Sequence, residues 1–154
     1  MHFNNEHFAE VEILSFTARC KLDGMSYEQT VEVRVDGGTV IRLFDFMGFA
    51  VNESRLGKNK KIVLCVPYID GEIALLESGA PRLLENDFDW ETQNPSRITM
   101  IARVLEINKE DQDMLVDAGF GKLYIIPSDD VSRFTPGDII KFTAQRLDLI
   151  EILE

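Results

Sequence analysis

The chain predicts an all-β fold, on three observations. Apolar residues recur at every second position through most of its length, the mark of half-buried strands. Asp-Gly and Gly-Gly pairs punctuate those runs, as tight hairpins require. Landmarks of the first half also return in the second. Ala18-Arg19 returns as Ala102-Arg103 after 84 positions, Asp36 of Val-Asp-x-Gly as Asp117 after 81, and Gly57 as Gly137 after 80. A near-constant offset points to two copies of one five-stranded unit, separated by loop insertions. The expected layout is a first unit over 1–77, an acidic and aromatic linker over 78–96 and a second unit over 97–154. The units form either two small barrels or one shared sandwich, with at most short helical turns.

In the first unit, Val11 to Leu22 alternates with one slip near Leu14, which reads as a β-bulge. Asp23-Gly24 turns the chain into Tyr27 to Val35, where Val31, Val33 and Val35 share one face and Glu32 and Arg34 the other. Asp36-Gly37-Gly38 is a hairpin signal, and Thr39 to Phe46 returns as a third strand. Met47 to Lys60 is irregular. It ends in the basic cluster Arg55, Lys58, Lys60 and Lys61, expected as a solvated loop. Ile62 to Ile69 is a fourth strand, and Asp70-Gly71 turns it into a fifth, Glu72 to Leu76.

Ser78 to Ser96, with Gly79, Pro81 and Pro95, is punctuation between the units. Arg97 to Ile107 then opens the second unit, and Asn108 to Gln112 is an acidic turn. Asp113 to Asp117 and Lys122 to Ile126 pair through Gly119-Phe120-Gly121. Pro127 to Phe134 holds one helical turn, capped by Asp129-Asp130. Pro136-Gly137 leads into Asp138 to Leu149, followed by Ile150 to Leu153.

The 154 residues suffice for one ordinary domain or two very small ones, without a disulfide or metal staple. Asp and Glu number 27 against 16 Lys and Arg, so the formal net charge is −11. Such a field repels polyphosphate and anionic lipid at long range and attracts basic partners. Cys20 and Cys65 lie in alternating apolar runs and read as reduced core thiols; their pairing stays open. The N-terminal stretch lacks the pattern of a signal peptide, and no apolar run is long enough to cross a membrane as a helix, so the expected compartment is the cytoplasm.

Phe134, Gly137, Asp138, Ile140 and Phe142 form a Phe-x-x-Gly-Asp-x-Ile-x-Phe lead into a fourth strand. With five short strands around it, this pattern resembles the oligonucleotide/oligosaccharide-binding fold, a small Greek-key barrel. The resemblance lies mainly over Arg97 to Glu154 and more weakly over Val11 to Glu77. It implies a fold, not an activity. Members that bind single strands join a basic groove to exposed stacking aromatics. Here Phe44, Phe46 and Phe142 fall at in-facing positions, and the basic cluster has no interleaved aromatics.

Reactive chemistry finds little support. His2 and His7 are the only histidines, both near the terminus, and read as surface side chains rather than bases or metal ligands. Asp87-Phe88-Asp89-Trp90-Glu91 lacks the glycine and the bidentate glutamate of a calcium loop. No catalytic, cofactor-binding or metal-binding residue is therefore assigned. The expected function is a non-catalytic module that binds a protein with a basic surface, as acidic immunity or inhibitor proteins do. Its candidate contact is Glu85, Asp87, Phe88, Asp89, Trp90 and Glu91, with Phe88 and Trp90 as anchors. A single-stranded nucleic-acid-binding barrel is the alternative, disfavoured by charge. An enzyme working through paired carboxylates comes third.

Overall fold

A computed structural model describes residues 3–22, 25–45, 52–87 and 94–153, and the side chains of all of these except 19–22, 25–27 and 37. The protein is all-β, as its alternation predicts. Among the described residues eleven strands join one sheet system: β1 (Ala9–Leu22), β2 (Met25–Arg34), β3 (Val40–Asp45), β4 (Gly57–Val66), β5 (Ile69–Leu76), β6 (Arg82–Asp87), β7 (Arg97–Asn108), β8 (Asp113–Asp117), β9 (Lys122–Ile125), β10 (Ile139–Ala144) and β11 (Asp148–Leu153). The helical content of the described residues is three 3-10 turns: Asp36–Gly38, Glu53–Arg55 and Val131–Arg133.

Five strands close a barrel. β1 pairs β2, β2 pairs β3, β3 meets β11 in parallel at Phe44 and Asp148, β11 pairs β4, and β4 returns to β1. Closure leaves those strands no open edge along the ring. The remaining strands run from β4 through β9, β8, β7 and β10 to β5. In the chain β5 follows β4 through Pro67 and Tyr68. Alternation explains the filling. Val31, Val33, Ile41 and Leu43 point into the core from β2 and β3, and Met114, Val116, Leu123 and Ile125 do so from β8 and β9. Phe142, Phe134 and Val131 join the same cluster, so the core is continuous across the two halves of the chain.

Several expectations hold in detail. The β1–β2 register slips between Ile13 and Ser15, which places the bulge at Leu14. Asp130 caps the turn Val131–Arg133 by accepting the Ser132 N–H at 2.9 Å. That bond holds the Asp130 carboxyl below its ordinary value.

Other expectations change. Lys58, Lys60 and Lys61 lie on β4, not in a loop, because Lys61 faces Glu10 and Lys60 faces Val11 across β1. Asp70-Gly71 is an irregularity inside β5 rather than a turn: the β5–β10 register shifts there, and Gly71 takes φ 77°. The corner falls earlier, where Gln145 N donates to Tyr68 O at 3.0 Å. The segment 78–96, expected as a linker or an ordered excursion, contributes β6, which pairs β7 from Arg82 opposite Ile101 to Asp87 opposite Arg97. The divisions 1–77 and 97–154 do not bound separate sheets, because β11 completes the barrel built from β1 to β4. Among the described residues β5 pairs as a strand only with β10, and the guanidinium of Arg133 donates to Ile73 O at 3.2 Å. The expected Asp23-Gly24 turn lies outside the described residues.

Candidate functional site

Of the six predicted contact residues, Glu85 and Asp87 lie on β6 and are exposed, whereas Phe88, Asp89, Trp90 and Glu91 lie outside the described residues. Pairing with β7 sets Asp87 opposite Arg97 and Glu85 opposite Thr99. Arg97 in turn reaches across to β5 and donates from Nε to Asp70 at 3.0 Å. Its pKa is raised, first by the hydrogen bond to Asp70, then by the charge of Asp70, with Asp87 and Glu85 adding to it. Three exposed carboxylates thus act on one guanidinium, and Leu84, 39% exposed, lies on the same strand as two of them. The strand pairing assembles this acidic face from residues far apart in sequence.

A second site was not foreseen. On the outer face of β8 and β9, Tyr124 accepts the Asn4 N–H at 2.8 Å and lies 2.8 Å from His7 Nδ1. Phe3 packs edge-on against the same ring at 5.0 Å. The backbone segment before β1 is fixed there as well, since Lys122 N donates to Phe8 O at 3.1 Å. His7 is therefore docked rather than a free surface side chain, with Glu106 3.9 Å from its Nε2. A hollow of about 260 Å³ opens beside it, lined by His7, Glu106, Asn108, Asp113, Leu115 and Tyr124. Burial raises the Tyr124 phenol, the Asn4 bond opposes that, and the charges of Glu106 and Asp113 add to it. The ring packs in a small apolar cluster with Val63, Cys65 and Leu115. Cys65 is a free buried thiol; desolvation, then the charges of Asp148 and Asp113, push it up to about 12. Such a thiol is inert at neutral pH. The Cys20 side chain lies outside the described residues.

The corresponding face of β2 and β3 is filled. Arg42 is buried there, with its Nε 3.1 Å from Glu32. Ser96 locks onto the Arg42 backbone in both directions, at 2.9 and 3.0 Å. Phe44 is buried, but on this outer face rather than inside the barrel, with the Arg146 guanidinium 4.3 Å above its ring. Arg146 also grips Asp148 through two bonds, of 2.7 and 3.2 Å. Phe142 is core as expected, and Phe46 lies outside the described residues.

The basic residues border another hollow, of about 550 Å³, lined by Asn52, Ser54, Arg55, Lys60, Lys61 and Leu153 among others. Among the described residues, no group of three or more His, Cys, Asp or Glu side chains is placed to hold a metal ion. No described helix is long and apolar enough to cross a membrane. No protein-family model, curated protein or solved structure matches the chain.

Proposed function

We propose that the protein is a non-catalytic binding module for a protein with a basic surface. The observation that supports this reading best is the acidic face on β5, β6 and β7. Asp70, Glu85 and Asp87 outnumber Arg97 there, and the whole chain carries a net charge of −11. Charges of this kind act on encounter rate and partner choice, and the exposed Leu84 offers apolar contact on the same strand as two of them. The test is capture of partners from the source lysate on the immobilised full chain at low salt. Retention should fall steeply as salt rises, and Glu85→Lys with Asp87→Lys should release the same proteins. Equal retention by the native chain and the double variant, at every salt concentration, would refute the role of this face.

The basic hollow favours a second reading, a ligand bearing phosphate such as a single-stranded nucleic acid. The buried state of Arg42, Phe44 and Tyr124 weighs against it, since those faces of the paired strands are occupied by the chain itself. Fluorescence titration with single-stranded DNA at low salt decides. An unchanged signal ends this reading; quenching that disappears in Lys60→Glu would promote it.

A further inference from the structure

We infer that the chain is a duplicated five-stranded unit whose two closing strands are exchanged, so that neither half completes a barrel alone. This goes beyond the proposed binding role and does not depend on it. The equivalence can be followed residue by residue. In the β2–β3 hairpin Val31 faces Leu43 and Val33 faces Ile41; in β8–β9 Met114 faces Ile125 and Val116 faces Leu123. Those offsets are 83 from β2 to β8 and 82 from β3 to β9, and all eight residues are fully buried. The fourth strands follow at 80. Gly57 and Gly137 lead into β4 and β10 with φ of 124° and 97°, facing Ile13 and Val104 of the first strands.

The exchange shows in the fifth strands. In the first unit the third strand meets the fifth through Phe44 N donating to Leu147 O at 2.9 Å, where the acceptor comes from the second half. In the second unit the third strand, β9, instead meets the end of the first unit's fourth strand, with Ile126 N donating to Val66 O at 3.0 Å and Cys65 facing Tyr124. Likewise β11 lies antiparallel to β4, and β5 lies antiparallel to β10. The lead-in segments cross over in the same sense. Phe8, before β1, bonds to β9 at Lys122, and Ser96, before β7, bonds to β3 at Arg42. One landmark of the sequence fails this alignment. Val11 faces Lys60 and Ala102 faces Ile140, each three residues past its glycine, so the first strands align at 91 and the two Ala-Arg pairs are unrelated.

Each unit therefore takes its last wall from the other, and opening either one removes a strand from both. Stabilising or loosening one unit must do the same to its twin, which couples any ligand on one face to the order of the other. The test is native-state hydrogen exchange on the full chain carrying Leu43→Ala, a truncation on β3 in the core that both units share. The slowest amides of β2–β3 and of β8–β9 should both lose protection by the same factor, about 30-fold or more. Loss confined to β2–β3, with β8–β9 unchanged, overturns the inference. Should Leu43→Ala not fold, Ile41→Val poses the same question with a smaller common factor.

Discussion

The β2–β3 and β8–β9 hairpins both send aliphatic side chains into the core and differ in what they place outside it. At the centre of the third strand, β3 carries Arg42 and β9 carries Tyr124, both buried and both held by a segment leading into a first strand. Around Arg42 the space is closed by Glu32 and Ser96. Around Tyr124 a hollow remains, with a histidine and two carboxylates on its wall. The inward positions of the two regions are interchangeable aliphatics, whereas the outward positions share no chemistry. A barrel of this kind is specified by inward alternation, and its surface is left to diverge.

The turns sharpen the contrast most. Gly38 lies in the β2–β3 turn and Gly119 in the β8–β9 turn, with φ of 92° and 90°. A side chain at Gly38 meets nothing within 4 Å, while a Cβ at Gly119 would lie 2.4 Å from Pro81 O. Gly38→Ala should therefore cost only the left-handed conformation, about 1–2 kcal/mol. Gly119→Ala adds a backbone clash, for about 3–4 kcal/mol in all. Urea unfolding of the two variants measures the difference, and equal midpoints would erase the distinction.

Next come the two buried anchors. Arg42→Leu leaves Glu32 without its guanidinium and should cost about 2–3 kcal/mol. Tyr124→Phe removes a hydroxyl that serves Asn4 and His7, for about 1 kcal/mol. It should also speed alkylation of Cys65 in the same cluster, read by peptide mass spectrometry. Unchanged labelling would mean that the N-terminal segment does not shield the thiol.

A separate effect belongs to alkaline pH and to the seam where β4 meets β9. Cys65 and Tyr124 both have pKa values raised by burial. A raised value adds stability that is complete below the unfolded pKa and lost as pH climbs through the folded one. Stability should thus decline between pH 9 and about 12, the range over which the thiol is displaced. Cys65→Ala should flatten that decline, and an identical slope in the variant would assign it elsewhere.

The frame was legible because period-two alternation reports directly on which side faces the core. The bulge at Leu14, the strand Asp113 to Asp117 and the capped turn at Asp130 were all visible in this way. β6 was not, because Arg82-Leu83-Leu84-Glu85-Asn86-Asp87 has no clean alternation and gains its strand form only from β7. Lys58 to Lys61 misled for a similar reason: cross-strand partners on β1 outweigh local polarity. The His7–Tyr124 contact joins residues 117 positions apart, and no local spacing signals it. Glu85 and Asp87 were visible as an acidic run, but the approach of Asp70 and Arg97 required the sheet.

Arg133 has a consequence for life at high concentration. Its guanidinium occupies a carbonyl of β5 that a neighbouring molecule's backbone would otherwise seek. One cation therefore covers part of the outermost strand, and Arg133→Ala should raise light scattering at high concentration before it alters far-UV circular dichroism.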